Sequence, residues 1–241
     1  MKDLILLVAA LLPAVLLWFY IWKMDTQKEP TRWLVKAVVW GVTICIPVAF
    51  LEMGIEFLLF GADGKPVSLL GTTTMAFFVA AIPEESFKLL ALWLLLRKNP
   101  YFDEHFDGIV YAVCIGLGFA SIENVFYVFG GVGGERITIA VSRALLAVPG
   151  HYAFAVLMGY YYSVYHFVDH SSKMAACVLL VPVLAHGIYD ALAMSSMVNH
   201  YVGGIGFLLL IYFCVKMHKD AKTKIVAQIQ RDQAPDEHTI L

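Results

Sequence analysis

The sequence predicts an all-α fold, a polytopic transmembrane helical bundle with about seven spans. Of the 241 residues, 60% are hydrophobic and 15% are charged, and the mean hydropathy is +0.74. A soluble domain usually carries about 25% charged residues. Apolar runs of the length that crosses a bilayer, about 20 residues, recur along most of the chain. The sequence lacks the short alternating segments that are typical of a transmembrane β-barrel.

The apolar runs place all spans in one membrane domain, residues 1–217, which is followed by a polar tail, residues 218–241. The first run ends in an aromatic group from Trp18 to Trp22 and then Lys23, which is typical of an uncleaved span at the membrane surface. The tail is expected to be mobile or weakly helical. The predicted spans are 4–22, 33–60, 68–96, 108–130, 137–168, 173–198 and 202–217. The proline positions at which we expect kinks within spans are Pro47, Pro83, Pro149 and Pro182.

The distribution of positive charges predicts the orientation of the chain in a cell membrane. Lys and Arg are frequent in the tail and in the loops that follow the first, third and fifth spans, whereas the other side has only Lys2, Lys65 and Arg136. By the positive-inside rule, the N-terminus lies outside and the C-terminus is cytoplasmic. The net charge of −2 gives no indication of a nucleic-acid partner. The four cysteines stand singly in apolar stretches, without metal-finger spacing.

Eight ionisable side chains lie inside predicted spans and carry most of the functional information. A charged side chain at the middle of a bilayer costs roughly 2.5–3.5 kcal/mol, so such residues are paired, ligated or hydrated and are usually functional. Two residues in the second span, Glu52 and Glu56, are four positions apart and are interpreted as a hydrated or paired face. The eight residues are Glu84, Glu85, Lys88, Glu123, Arg143, His151, His186 and Asp190.

The acidic and imidazole groups occur at similar depth in four consecutive spans. At a rise of 1.5 Å per residue, the two adjacent glutamates, Glu123, His151 and His186 fall within about 8 Å of one common level. Helical bundles build metal and catalytic sites from side chains that face one another in this way. The predicted catalytic residues are Glu84, Glu85, Lys88, Glu123, His151, His186 and Asp190.

Spacing within each helix refines this prediction. Glu84 and Lys88 are four residues apart, so they share a helix face and can form an ion pair. His186 and Asp190 have the same spacing, which lets the carboxylate orient the imidazole ring. Arg143 is interpreted as pairing with a carboxylate or as reaching towards the membrane surface.

The chain resembles the PrsW family of bacterial intramembrane proteases and, more distantly, the CAAX prenyl protease and Abi superfamily. Four motifs carry the resemblance: Pro83-Glu84-Glu85-x-x-Lys88, Gly118-Phe119-x-x-x-Glu123-Asn124, the stretch from Arg143 to Pro149-Gly150-His151, and His186-Gly187-x-Tyr189-Asp190. The resemblance implies a multi-pass protein of the bacterial cell membrane. It also implies an endopeptidase that cuts a single-span anti-sigma factor and thereby frees a sigma factor.

Two versions of the chemistry remain open from the residues alone. In both, Glu84 activates water and later delivers the proton to the leaving amine. In one version, Glu123, His151 and His186 bind zinc as a His₂Glu set with an open position. In the other, no metal is present and the histidines act as donors to the transition state. A proton- or ion-coupled transporter that uses the same carboxylates is the alternative function, although the sequence contains no detectable inverted repeat.

Overall fold

The computed structural model describes residues 2–62, 64, 66 and 68–234, and within them it contains helices and no strands. Two segments are π-helical, and they are called the first and second π segments below. The elements in chain order are α1 (Lys2–Met24), α2 (Thr31–Phe60), α3 (Leu69–Thr74), the first π segment (Met75–Ala81), α4 (Ile82–Leu96), α5 (Asp107–Gly130), α6 (Glu135–Ser142), the second π segment (Arg143–Ala147), α7 (Val148–Phe167), α8 (Ser172–Ala193), a 3₁₀ turn (Met194–Met197) and α9 (His200–Gln233).

The prediction of an all-α membrane bundle is confirmed. Among the described residues, six helical stretches are long and apolar enough to cross a membrane. The remaining predicted span, 68–96, is formed by α3, the first π segment and α4 in direct succession. This stretch carries Glu84, Glu85 and Lys88 near its middle, so it is less apolar than the other six. The six are Lys2–Met24, Thr31–Phe60, Asp107–Gly130, Glu135–Phe167, Ser172–Met197 and His200–Gln233.

Helix α5 lies at the centre of the bundle, in contact with α1, α2, α4 and α7. Glycines allow its neighbours to approach closely, as is common between helices in membranes. A Cβ atom on Gly41 of α2 would lie 2.0 Å from the carbonyl oxygen of Ile115 in α5. A Cβ atom on Gly159 of α7 would lie 2.3 Å from the carbonyl oxygen of Gly108. The position of α5, and therefore of Glu123, depends on these two close contacts.

Each of the two π segments ends two residues before one of the prolines at which kinks were expected. Pro83 follows the first segment and Pro149 follows the second. A proline removes one backbone N–H and its ring clashes with the carbonyl group four residues earlier. In both places the preceding N–H, of Ile82 and of Val148, donates to a carbonyl five residues back. These wider turns lie immediately before the residues predicted to be catalytic, as π segments in functional helices frequently do.

The structure differs from the expected mobile or weakly helical tail. Helix α9 continues without interruption from His200 to Gln233. Ala221, Ile225 and Gln228 are buried, and the side-chain amide of Gln228 donates to the backbone carbonyl of Tyr160 in α7. The stretch is polar on average, but these three buried residues recur at helical spacing and form one face that packs against the bundle. Residues 235–241 lie outside the described residues, and the boundary at residue 217 remains a prediction.

Candidate functional site

All seven residues predicted to be catalytic lie in one contact network between α4, α5, α7 and α8. Helix α4 supplies the two adjacent glutamates and the lysine, and α5 and α7 supply one residue each. Helix α8 supplies His186 and Asp190. All seven lie in helices and none in a loop, so helical elements position the whole group.

Lys88 joins the two neighbouring glutamates. Its ammonium group donates to Glu84 Oε2 at 2.9 Å and to Glu85 Oε1 at 2.8 Å, and it lies 3.2 Å from His151 Nδ1. It also lies 4.4 Å from the centre of the Phe119 ring. An ammonium group has three donors, so it can serve both carboxylates although they point in different directions around the helix. The predicted ion pair of Glu84 with Lys88 is therefore present, and the lysine offsets part of the buried negative charge.

A chain of hydrogen bonds from three helices holds His151. Its Nε2 atom lies 2.8 Å from Glu123 Oε2, and the same oxygen accepts from Arg143 Nη2 at 2.8 Å. Arg143 Nε donates to Asn124 Oδ1 at 2.8 Å, and Asn124 Nδ2 donates to the carbonyl of Ala10 in α1 at 2.7 Å. Glu123 thus orients the ring of His151, and Arg143 holds Glu123 in place.

Carboxylates also hold His186, one at each of its two ring nitrogens. Its Nδ1 atom lies 2.9 Å from Glu85 Oε1, which is fully buried. Its Nε2 atom lies 3.2 Å from Asp190 Oδ2 and 4.0 Å from Glu84 Oε1. The ring stacks on Phe154 with 4.6 Å between centroids. Glu85 therefore supports the histidine at Nδ1, while Asp190 and, at a greater distance, Glu84 lie at its Nε2 edge.

Glu84, His151 and His186 form a group that is suitable for a metal ion. One ligand atom from each residue lies within 4.8 Å of the other two, and all three residues are buried. The nitrogens nearest to Glu84 are His151 Nδ1, at 3.9 Å, and His186 Nε2. The other nitrogen of each ring contacts a second carboxylate, which is the usual arrangement behind metal-bound histidines. Two imidazoles and one carboxylate are ligands that zinc accepts, so these residue types fit the ion once Lys88 Nζ moves from its place 3.2 Å from His151 Nδ1.

This group differs from the predicted ligand set of Glu123, His151 and His186. Glu123 does not join the group, because its carboxylate is engaged by Arg143 and contacts the far nitrogen of His151. Glu84 takes its place. Depth along a helix predicts which residues meet, but the choice between two carboxylates depends on how each helix is rotated.

A cavity of about 720 Å³ adjoins the network. Glu84, Glu123 and both histidines line it together with Asp190, and its other walls include apolar side chains such as Met75 and Phe207. The cavity is therefore large enough to hold water and part of a peptide next to the polar group.

Three residues near this site were not assigned to it from the sequence. Arg143 and Asn124 complete the support of Glu123, and Glu52 lines the cavity with an Oε1 atom that has no hydrogen-bond partner within the described part of the chain. Asn124 directly follows Glu123 in the sequence, and this position is the one feature of the sequence that could have indicated its role. Glu52 comes from α2, where only its four-residue spacing to Glu56 was visible.

Comparison with known proteins gives consistent matches. A family model described as "PrsW family intramembrane metalloprotease" matches residues 29–217, which include every residue of the network described above except Ala10. Protease PrsW of Clostridioides difficile is 33% identical over 197 residues, which cover 80% of this chain and 79% of that protein. Protease PrsW of Bacillus subtilis is 30% identical over 220 residues, which cover 90% of this chain and 94% of that protein. No solved structure matches significantly.

Proposed function

Because this chain belongs to the PrsW family of intramembrane metalloproteases, we propose that it cleaves a single-span membrane protein of the anti-sigma factor class. The cut starts destruction of the anti-sigma factor and frees its sigma factor. The chain is a multi-pass membrane peptidase, and the substrate class is what the motif resemblance implies. We place its N-terminus outside the bacterial cell and its C-terminus in the cytoplasm, since the positive charges concentrate on the latter side.

One observation carries the catalytic part of the proposal. Glu84 and the edges of two histidine rings meet at the wall of a cavity, inside a bundle whose outer surface is apolar. Peptide hydrolysis within a membrane needs water at that depth, and irregular or polar structure is tolerated there only around such a cavity. A substrate helix must also unwind locally, since its carbonyl groups are otherwise hydrogen-bonded within the helix.

In the proposed reaction, Glu84 accepts a proton from the attacking water and later returns it to the leaving amine. Lys88 holds Glu84 at 2.9 Å and limits its movement. The two histidines line the cavity, and one nitrogen of each ring is held by a carboxylate, that of His151 by Glu123 and that of His186 by Glu85. Asp190 restrains the cavity edge of the His186 ring. The His186 ring would stabilise the carbonyl oxygen of the substrate at this edge.

A zinc ion, if bound, would be held by His151, His186 and one oxygen of Glu84. When bound, it would supply Lewis-acid polarisation of the carbonyl group and a more acidic water. A carboxylate has two oxygens, so Glu84 can hold a cation through one oxygen and accept a proton through the other. The carboxylates behind the two histidines keep both rings oriented whether or not an ion is present.

The direct test is cleavage of a single-span anti-sigma factor in liposomes that contain only the purified chain and the substrate. We expect Glu84→Gln and His186→Ala to lower the cleavage rate by about 10²–10⁴-fold, the usual contribution of acid–base groups. Glu135→Gln and His170→Ala change the same residue types at exposed positions and are expected to cleave normally. Cleavage that survives both site changes would refute the site.

Measuring zinc in the same preparations tests the proposed ligand set. We expect the wild type to contain about one zinc per chain and to lose cleavage with a chelator, and Glu84→Gln to bind zinc less tightly. A sample without stoichiometric zinc that still cleaves in excess chelator would establish the metal-free version.

A further inference from the structure

A second acidic cluster lies at the other end of α5, remote from the catalytic network. It combines the loop between α1 and α2, the loop between α4 and α5, and the first turn of α5. Asp107 in this turn is sixteen residues before Glu123, which corresponds to about 24 Å at 1.5 Å per residue. The proposed reaction uses none of the residues in this cluster, so its role must be explained separately.

Three carboxylates in the cluster converge on one point. One oxygen from each of Glu29, Asp103 and Asp107 lies within 4.8 Å of the other two. Glu29 and Asp107 are buried, whereas Asp103 is exposed. The hydroxyl group of Tyr111 donates to Glu29 Oε2. The point of convergence is therefore closed on the protein side and accessible past Asp103.

One oxygen in the cluster lacks a partner. Asp107 Oδ2 accepts from the backbone N–H groups of Asp103 and Glu104, at 3.1 and 2.8 Å. Asp107 Oδ1 is buried without a hydrogen-bond partner among the described residues, in a side chain that is 0% exposed. The carboxyl group of Asp107 lies close enough to that of Glu29 for a hydrogen bond between them. A buried carboxylate oxygen left without a partner is unfavourable by about 1–3 kcal/mol or more, so the position requires either a proton shared with Glu29 or a bound cation.

Neighbouring cations do not offset the charge. Lys28 donates to the backbone carbonyls of Trp22 and Asp25 and lies near Asp25. Within the described ranges, no lysine or arginine forms an ion pair with Glu29, Asp103 or Asp107. When these carboxyl groups are ionised, no lysine or arginine of the described chain is therefore paired with them.

We propose that Glu29, Asp103 and Asp107 bind a divalent cation of the calcium or magnesium type. The ligands are all oxygens, and three carboxylates without nitrogen or sulfur favour these hard cations over zinc. The bound ion joins the loop between α1 and α2 to the first turn of α5. It thereby fixes the end of the central helix that carries Glu123 further along.

Titration of the purified, chelator-treated full-length chain with Ca²⁺ and with Mg²⁺ by calorimetry tests this site. We expect saturable binding of one equivalent of at least one of these ions, and Asp103→Asn is expected to weaken it by about tenfold or more, by analogy with other changes at metal sites. Asp103 is exposed, so its amide variant keeps the fold. Asp220→Asn changes an aspartate on the exposed side of α9 and is the matched control, with binding equal to the wild type.

The variant Glu84→Gln separates this inference from the catalytic proposal. If the cation binds at the acidic cluster, Glu84→Gln binds it with wild-type affinity even when cleavage is abolished. Loss of binding in Glu84→Gln would place the ion at the catalytic group and overturn the inference. Equal affinity in Asp103→Asn and the wild type, or no saturable binding, would also overturn it and indicate that Glu29 and Asp107 share a proton instead.

Discussion

At the residue scale, the site depends on the carboxylate that holds each histidine ring. Glu123 contacts Nε2 of His151 at 2.8 Å, and Glu85 contacts Nδ1 of His186 at 2.9 Å. Such partners fix the tautomer and the direction of an imidazole ring. Arg143 pairs with a carboxylate, one of the two roles considered for it, and it holds Glu123 and Asn124 at once with two different nitrogens of its guanidinium group.

Replacing Arg143 by lysine tests this positioning role. An ammonium group lacks the planar fork of arginine, so it cannot hold Asn124 and Glu123 in the same geometry. We expect Arg143→Lys to lower kcat for anti-sigma factor cleavage by about 10–100-fold with little change in KM, because a supporting contact and not the substrate site is altered. Arg136→Lys is the control, since Arg136 contacts backbone carbonyls near Gly131 and lies outside the network. Wild-type kcat in Arg143→Lys would contradict the role.

At the scale of elements, α2 and α5 are placed by a contact that leaves no room for a side chain. Gly41 packs against the backbone of Ile115, and Gly118 of α5 packs against the backbone of Val38. Glycines on both helices thus allow the two backbones to touch. Since Glu52 and Glu123 line the cavity from these two helices, the same contact sets the width of the cavity.

The substitution Gly41→Ala measures how much the bundle depends on this contact. Its new Cβ atom would lie 2.0 Å from the Ile115 carbonyl oxygen, so the two helices must separate. We expect the free energy of unfolding to fall by about 1–3 kcal/mol, as for other overpacked interiors, with a lower thermal unfolding midpoint in detergent. Gly54→Ala in the same helix has no atom within 4 Å of its new Cβ and is expected to leave the midpoint unchanged. Equal midpoints for both variants would show that the close contact of α2 with α5 does not contribute to stability.

At the scale of the whole molecule, the folded unit extends beyond the predicted end of the membrane domain. The C-terminal part of α9 packs against α7, and Asp232 accepts from the backbone N–H groups of His105 and Phe106 at 2.7 and 2.9 Å. The end of α9 therefore joins the same loop, between α4 and α5, that supplies Asp103 to the acidic cluster. The predicted cytoplasmic side of the molecule is thus tied together by three separate parts of the chain.

Charge substitutions in α9 test whether this end is part of the folded unit. Ile225 is 1% exposed and Val226 is 38% exposed, although they are neighbours. We expect Ile225→Asp to lower the free energy of unfolding by about 3 kcal/mol or more, because it buries an unpaired charge. Val226→Asp is expected to have little effect in the same thermal unfolding measurement. If both variants unfold like the wild type, the helix is detached from α7 in solution.

Much of this protein follows from the sequence alone, for reasons that act within one helix. Apolar run length determines that the chain is a membrane bundle, and helical rise places Glu84, Glu123, His151 and His186 at one depth. The four-residue spacing predicts the contacts of Glu84 with Lys88 and of His186 with Asp190. These quantities depend on residues close in sequence, so they can be calculated without the neighbouring helices.

Only the tertiary structure decided how the helices are rotated and what each polar atom meets. It assigned Glu84, and not Glu123, to the group with both histidines, and it joined Arg143 to Glu123 across two helices. It also brought Glu29 together with Asp103 and Asp107 from loops far apart in the sequence. Such pairings result from the packing of all helices at once, through contacts such as that of Gly41 with Ile115, and no local spacing contains that information.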